Sequence, residues 1–435
     1  MDRILITNGM IADPEKNELY KSDILIEDGK IIRIGPAGMI MLETDRKDAS
    51  PDLLCEIINA TGCYVSPGLV DVHVHFRDPG FTYKEDIRSG SLAAAAGGVT
   101  SVVLMANTKP AVDNEETLAY VISEGAKTDI RVHTCCSVTS GLAGEQLTDI
   151  KQLISKGAVG ITDDGIPLMD EALLTEAMKR SCELGVPISL HEEDKTLITN
   201  NGINEDIARS HFGIGGSPSA AEASLVGRDL EIALSENAIV NIQHISTKEA
   251  VELVRAAKKR SAANRVHAEA TPHHIALTQE ALIQHGTLAK MNPPLRTESD
   301  RQAILEGLRD GTIDLIATDH APHSKDEKDK ELTKAPSGIT GLETALSICY
   351  EELVEKNILT YPQLIQKMAL NPARMYGLDA GTISVGSNAD LCIFNPCMEW
   401  VYDYTYSKSE NSPFFGSERR GRVVKTICKG KVIFG

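Results

Sequence analysis

Six histidines and aspartates lie at or near the ends of predicted strands, and their chemistry suits a metal centre. His73 and His75 are two residues apart in one predicted strand, so both imidazoles point to the same face. Imidazole nitrogen and carboxylate oxygen without thiolate suit zinc, with manganese, cobalt or iron as chemically permitted substitutes. The six predicted ligands are His73, His75, Asp164, His191, His244 and Asp319.

The number of these ligands favours a pair of ions joined by a carboxylate. Six groups exceed what one tetrahedral ion needs, and two ions about 3.5–4 Å apart can activate water and polarise a carbonyl. A lone histidine at a strand end ordinarily has a structural role. Chance alone is a poor explanation when several predicted strands end in histidine or aspartate. We expect one ion on His73, His75 and Asp319 and the other on His191 and His244.

The elements that must position these residues alternate along the middle of the chain. Helical segments are predicted between short β-branched runs, for example over 84–96, 115–127, 168–184 and 247–260. Eight such units fit a (β/α)8 TIM barrel, whose sites lie at the carboxyl ends of the strands. A doubly wound sheet is the rival, but no Gly-x-Gly-x-x-Gly turn follows the first strand. The predicted barrel strands are 69–75, 100–105, 131–137, 158–162, 186–191, 238–245, 265–270 and 313–319.

Both ends of the chain have a different hydrophobic pattern from the middle. Alternating apolar runs broken by Asn8-Gly9 and Asp28-Gly29 are typical of hairpins, and similar short runs return after about residue 380. We therefore expect one small β-sandwich domain built from residues 1–64 and 380–435, with the barrel over 65–379.

Composition excludes several classes of function. The chain has 435 residues, with 44 Lys plus Arg against 62 Asp plus Glu, a formal charge of −18, so we expect neither nucleic acid nor a membrane surface as a partner. The short basic run at 419–422 is better interpreted as a solvated turn. No apolar stretch approaches the ~20 residues of a membrane span. Nine scattered cysteines without a Cys-x-x-Cys motif favour reduced thiols and a cytoplasmic location.

Linked motifs along the chain carry a family resemblance. Residues 67–75 (PGLVDVHVH) resemble the opening barrel strand of the amidohydrolase superfamily. Taken with later motifs, from about residue 50 to the Pro413-Phe414 pair near the end, the chain resembles the class I bacterial dihydroorotases. The more specific motifs are 75–80 (HFRDPG), 105–110 (MANTKP), 290–296 (KMNPPLR) and 317–323 (ATDHAPH).

The resemblance implies a zinc enzyme of pyrimidine synthesis that interconverts N-carbamoyl-L-aspartate and (S)-dihydroorotate. It implies two Zn2+ per subunit bridged by Asp164, with Asp319 as the catalytic acid and base. The planar guanidinium of Arg77 offers two parallel hydrogen-bond donors, which match the two oxygens of a substrate carboxylate. The substrate-binding residues implied are His75, Arg77, Asn107, Asn292, His323, Ser337 and Gly338. Dimers are common in the family, and the sequence leaves a homodimer and an association with aspartate transcarbamoylase open.

Two positions depart from the family pattern. Ser337 stands before Gly338 where the family often has an aromatic residue, so main-chain contacts can persist there while packing of a side chain on the substrate ring is in doubt. Ala106 replaces a proline that is usual in the family.

Two rival functions remain at this stage. A hydantoinase or allantoinase usually bridges its metals with a carboxylated lysine at the end of strand four, where this chain has Asp164, and Lys156 lies too early. An inactive relative that serves as a scaffold for aspartate transcarbamoylase should have lost ligands, but all six are present.

Overall fold

A computed structural model of the chain describes residues 3–40, 55–261 and 264–435. Parts of the predicted N-terminal segment, residues 1–2 and 41–54, lie outside the described residues. The strands are β1 (Arg3–Asp13), β2 (Glu18–Glu27), β3 (Lys30–Gly35), β4 (Cys55–Asn59), β5 (Tyr64–Pro67), β6 (Leu69–Val74), β7 (Val99–Leu104), β8 (Arg131–Thr134), β9 (Ile188–Leu190), β10 (Val240–Ile242), β11 (Val266–Ala270), β12 (Leu315–Ile316), β13 (Leu391–Val401), β14 (Glu418–Cys428) and β15 (Lys431–Phe434).

Helices separate the central strands and are mostly short. The α-helices are α1 (Ile87–Ala96), α2 (Glu115–Gly125), α3 (Ile150–Ser155), α4 (Glu171–Leu184), α5 (Glu205–Ile207), α6 (Ser219–Glu236), α7 (Lys248–Arg260), α8 (Pro272–Ala276), α9 (Ala281–His285), α10 (Glu298–Asp310), α11 (Lys325–Lys328), α12 (Ala345–Cys349), α13 (Tyr361–Ile365) and α14 (Asn371–Met375). The 3-10 segments are Ser140–Leu142, Lys195–Leu197 and Gly286–Ala289, and the π-helical turns are Ala208–Phe212, Tyr350–Val354 and Gln366–Leu370.

The central strands form a closed parallel ring. β6, β7 and β8 pair in order, and so do β9, β10, β11 and β12. A bridge between Val74 and His320 joins the last position to the first. Ile161 bridges both Cys136 and Ile188, so it occupies the fourth position of the ring. The ring confirms the predicted (β/α)8 barrel.

The fourth barrel strand is much shorter than the predicted 158–162. The carboxylate of Asp163 accepts hydrogen bonds from the backbone N–H groups of Val138 and Thr139, at 2.7 and 3.1 Å. These bonds tie the chain beyond Ile161 to a neighbouring loop rather than to a sheet ladder. Asp164 lies at the rim, three residues beyond the bridged Ile161.

Helices α6 and α7 hold the loop that follows β10. Thr247 caps α7 by accepting a hydrogen bond from the N–H of Ala250, and apolar residues of the same helix pack inward. Glu222 of α6 accepts the N–H groups of Ser246 and Thr247, each at 2.8 Å. The chain just beyond His244 is therefore anchored on both sides.

Both termini build the second unit, as predicted. Among the described residues, β1 pairs with β2 and also with β4 and β5, while β13, β14 and β15 extend the same sheet beyond β5. Side chains from both ends share one core, which includes Ile6, Ile24, Val65, Leu391 and Ile427. The boundaries 1–64, 65–379 and 380–435 stay a prediction.

Two further observations concern the described part of the chain. None of its helices is long and apolar enough to cross a membrane. All nine cysteines fall in it and are free thiols.

Candidate functional site

A cavity of about 270 Å³ opens at the carboxyl ends of the barrel strands. Twelve residues were predicted for the site, and eleven of them line this cavity. The twelfth, His73, lies beneath it with no exposed surface. The predicted residues that line the cavity are His75, Arg77, Asn107, Asp164, His191, His244, Asn292, Asp319, His323, Ser337 and Gly338.

The six predicted ligands converge on Asp164. Its Oδ1 lies 3.4 Å from His73 Nε2, 3.9 Å from His191 Nδ1 and 4.0 Å from His244 Nε2, and its Oδ2 lies 3.5 Å from His75 Nε2. Ligand atoms within 4.8 Å of one another form three groups among the described residues. Asp164 belongs to two of them, one with His73 and His75 and one with His191 and His244. The third group joins Asp319 to His73 and His244.

Asp319 completes the cluster from the opposite side of the ring. Its Oδ1 lies 2.9 Å from His75 Nε2 and 3.4 Å from His73 Nε2. Asp71, beneath it, accepts the backbone N–H of Thr318 at 3.2 Å and so fixes the strand end that carries Asp319.

Three of the candidate residues have left-handed backbones. The φ angles are 59° at Arg77, 32° at His244 and 47° at Asp319. Such conformations cost about 1–3 kcal/mol for a residue with a side chain and persist where the surroundings impose them. These conformations interrupt the strand pairing early. β10 stops at Ile242 and β12 at Ile316, before the ends of the predicted strands 238–245 and 313–319.

Partners on the far side of each ring set the orientation of the first two histidines. His73 Nδ1 lies 2.7 Å from Glu269 Oε1, and His75 Nδ1 lies 3.0 Å from Asn107 Oδ1. Each acceptor places the ring hydrogen on Nδ1, which leaves the Nε2 lone pair directed at the cluster.

An unpaired buried nitrogen fits a bound metal. His73 Nε2, the atom that faces Asp164 and Asp319, is buried and lacks a hydrogen-bond partner among the described residues. A buried polar atom without a partner is costly, and a bound ion is one of its ordinary explanations. The donor set, four imidazoles and two carboxylates, is the one that zinc accepts.

The electrostatics favour the metal-binding form at two of these ligands, Asp164 and His244. They oppose it at His73 and His191, where nearby carboxylates raise the pKa against the effect of burial, so a metal must displace a proton there. Burial alone would raise the pKa of Asp164, but His73, His75 and His191 hold it well below its usual range. Burial, together with His191 and His73, holds the pKa of His244 well below the usual value. Asp164 is therefore a carboxylate and His244 a neutral imidazole, as metal binding requires.

The residues predicted to bind substrate surround the ligands. Arg77 Nε donates to Pro322 O at 3.3 Å, and Asn292 Nδ2 lies 3.2 Å from His191 Nε2. Asn107 touches the candidate ligands themselves, since its Nδ2 donates to Asp164 Oδ2 at 3.0 Å. Gly338 has a φ of 152°, and a Cβ there would lie 2.7 Å from His323 Cδ2, so the position requires glycine.

The sequence interpretation missed the residues behind this layer. Glu269 orients His73, and Glu193 Oε2 lies 3.4 Å from His191 Nε2. A charged residue near the end of an otherwise apolar strand, VHAEA, could have signalled Glu269. Lys84 and Glu327 were missed as well. They lie behind His323, with Lys84 Nζ 3.3 Å and Glu327 Oε2 3.4 Å from His323 Nδ1.

Among the described residues that line the cavity, no lysine is placed to serve as a hydantoinase-like bridge. Lys156 lies at the surface, where its Nζ is 3.1 Å from Glu115 Oε2. Asp164 is the residue that belongs to both the His73–His75 group and the His191–His244 group.

Comparisons with known proteins agree with the geometry. Residues 64–433 match the amidohydrolase family. The chain is 50% identical over 431 residues to a dihydroorotase of Clostridioides difficile strain 630 and 47% identical over 433 residues to one of Streptococcus pneumoniae serotype 4, each time with 99% of both chains covered.

Similar solved structures include an L-hydantoinase (dihydropyrimidinase) from Arthrobacter aurescens. The two are 25% identical with a TM-score of 0.85, over 100% of this chain and 96% of that one. A dihydropyrimidinase from Brevibacillus agri NCHU1002 has a TM-score of 0.83 at 22% identity, over 99% of this chain and 95% of that one, which shows a shared fold.

Proposed function

Because the chain belongs to the amidohydrolase family and, within it, to the dihydroorotases, we propose how its residues carry out that reaction. The reaction is the reversible hydrolysis of the cyclic amide of (S)-dihydroorotate to N-carbamoyl-L-aspartate, a step of pyrimidine synthesis. One observation carries the proposal: Asp164 is shared by two buried ligand groups at the floor of a cavity bordered by Arg77 and His323.

The ligand set supports two Zn2+ ions per subunit. His73, His75 and Asp319 would hold one ion, His191 and His244 the other, and Asp164 would bridge them. When bound, zinc polarises the amide carbonyl and makes water a stronger nucleophile at neutral pH.

Asp319 is the proposed general base and acid. In the hydrolytic direction a C–O bond forms between water and the amide carbon, and the C–N bond of the ring breaks. Asp319 takes one proton from the attacking water and delivers it to the departing nitrogen, so Asp319 returns to its starting form. The second proton of the water stays on the new carboxyl group and is released to solvent when that group ionises. Such positioned transfer is worth roughly 10²–10⁴ in rate.

The remaining residues are proposed to bind and orient the substrate. The planar guanidinium of Arg77 can pair with the substrate carboxylate through two parallel hydrogen bonds. His323 and Asn107 would assist at the carboxylate. His75, Asn292 and the segment Ser337-Gly338 would border the ring, with Ser337 contributing through its main chain.

A hydrolysis assay after metal removal tests the proposal. Enzyme stripped by a chelator should lose activity on dihydroorotate and regain it with added zinc. Hydantoin and allantoin should be turned over far more slowly, because Asp164 replaces the carboxylated lysine usual in those enzymes. A zinc-loaded preparation that leaves dihydroorotate intact, or prefers hydantoin, would refute it.

A homodimer and an association with aspartate transcarbamoylase stay open, as the sequence leaves them, and the cytoplasmic location stays a prediction.

A further inference from the structure

The imidazole of His323 lies between two fixed partners. Its Nε2 is 2.9 Å from the carbonyl oxygen of Ser337, which can only accept, so Nε2 carries the hydrogen. Its Nδ1 is 3.3 Å from Lys84 Nζ and 3.4 Å from Glu327 Oε2. Two groups of opposite character therefore compete for Nδ1.

Lys84 is buried and held in one position. Its Nζ forms an ion pair with Glu327 Oε1 at 2.9 Å and lies 5.3 Å from the ring centre of Phe81 and 5.6 Å from that of Tyr83. Glu327 is itself fixed, because it accepts the Tyr83 hydroxyl at 3.0 Å and the backbone N–H of Ser324 at 3.1 Å.

The surrounding charges favour the neutral ring. Burial, with the cations of Arg77, Lys84 and Lys328, lowers the pKa of His323 to about 2, against the opposing effect of Glu327. A neutral ring with its hydrogen on Nε2 has a lone pair on Nδ1, which accepts from the Lys84 ammonium.

We propose that Lys84 is a positioning residue for the substrate-carboxylate site, because its hydrogen bond to Nδ1 keeps His323 neutral with the hydrogen on Nε2. In that state Nε2–H is donated to the Ser337 carbonyl, and a carboxylate that enters the cavity lined by His323 can share this hydrogen. The effect on substrate rests on the proposed function, whereas the ring state itself does not. Glu327 holds Lys84 in place and takes the Nδ1 hydrogen only when Lys84 is lost.

The Lys84→Met variant separates these states, since methionine keeps the apolar stem without the donor. Glu327 should then compete with the Ser337 carbonyl for the single hydrogen of the neutral ring, since both groups can only accept. A ring that carries the hydrogen on Nδ1 presents an Nε2 lone pair to the carboxylate and binds it weakly. We expect KM relative to wild type to rise about tenfold at pH 8, with kcat within about twofold.

Long-range 1H–15N spectra of the full-length, zinc-loaded enzyme with 15N-histidine report the ring state directly. A His323→Gln variant identifies the signals. Wild type should show the Nε2–H form without titration between pH 6 and 8, Lys84→Met should add an Nδ1–H population, and Lys84→Arg should restore the wild-type pattern. Lys334→Met, at an exposed lysine paired with Glu331, is the matched control and should change neither spectra nor KM.

Two results would overturn the proposal. One is a wild-type His323 that carries its hydrogen on Nδ1 or titrates near neutrality. The other is a Lys84→Met enzyme with unchanged ring signals, or with changed signals and an unchanged KM. Because the spectra need no substrate, they remain decisive even if dihydroorotate is not turned over, which separates this failure from failure of the proposed function.

Discussion

At the scale of single residues, Glu269 is the clearest support for the metal centre. It is fully buried and its Oε1 lies 2.7 Å from His73 Nδ1. Replacing it by glutamine keeps the acceptor and removes the charge that makes His73 a stronger ligand. Such changes behind a ligand typically cost 10–100-fold in metal affinity. When Glu269→Gln is dialysed against graded concentrations of chelator, its affinity for zinc should be about tenfold lower than that of wild type.

The exposed Glu249 provides the matched control for this substitution. Glu249→Gln should bind zinc like wild type. Equal zinc retention in Glu269→Gln and Glu249→Gln would remove Glu269 from any role in metal binding.

Asp319 carries the second prediction at this scale. Asp319→Ala should abolish turnover of dihydroorotate, because no other group in the proposed mechanism moves the proton from water to nitrogen. Steady-state assays in both directions, with zinc content measured on the same samples, check this. The exposed Asp326 gives a control, Asp326→Ala, that should keep full activity. Wild-type turnover by Asp319→Ala would exclude the proposed role.

Arg77 carries the third prediction. Arg77→Ala should mainly raise KM for both substrates, and Arg77→Lys should rescue it only partly, since lysine keeps the charge but not the planar pair of donors. The loss of one charge-assisted pair corresponds to about tenfold or more in KM. The control Arg88→Lys changes an exposed arginine and should leave KM and kcat unchanged. A defect confined to kcat would argue against a binding role.

At the scale of elements, the segment between β13 and β14 reaches over the barrel rim. The side chain of Asn411 accepts the backbone N–H of His323 at 2.9 Å and donates to the carbonyls of Ala321 and Gly338, each at 3.0 Å. One buried amide therefore joins the two loops that border the proposed carboxylate site. The small terminal unit thus contributes to the geometry of the site, although none of its described residues lines the cavity.

Asn411→Leu should loosen these two loops. The change leaves the N–H of His323 and the carbonyl of Ala321 without this partner. The Gly338 carbonyl keeps the Lys328 ammonium. Each unsatisfied buried group costs about 1–3 kcal/mol. We expect KM to rise about tenfold with a smaller change in kcat, together with a lower Tm. Asn388→Leu removes an amide that bonds to Asp379, in the same unit but away from the site, and should leave KM unchanged. The same KM in both variants would contradict the role of Asn411.

The sequence predicts the ring of strands and its ligands well, because both signals are local. His73 and His75 share one strand face, and the β-branched runs mark where strands lie. The partners Glu269 and Asn411 were not predicted, because they meet His73 and His323 only through contacts between segments far apart in the chain. The early ends of β10 and β12 were also missed, since the left-handed backbones at His244 and Asp319 arise from packing around the site.

At the scale of the whole molecule, the terminal sheet and the barrel are joined by buried polar contacts. Asp390, just before β13, forms an ion pair with Arg131 of β8 at 2.7 Å and accepts the backbone N–H of Lys429 at 2.7 Å. Thr426 of β14 donates to the carbonyl of Ala95 in α1 at 2.6 Å. These contacts hold the C-terminal strands against the barrel, which keeps Asn411 over the rim.

Binding of the metal pair should stabilise the folded protein, because it links segments that are distant in the sequence. The proposed ligands come from five separate segments around the ring, and zinc binds them only when the barrel is closed. A ligand at 1,000 times its Kd stabilises the folded state by about 4 kcal/mol, which for a chain of this size corresponds to a rise in Tm on the order of 5 °C. Calorimetry of the chelated and the zinc-loaded enzyme should show this rise. Asp164→Asn, which weakens the shared ligand, should shrink it, while Arg77→Ala should keep it in full. If zinc leaves the Tm of the wild-type enzyme unchanged, the ions do not link these segments.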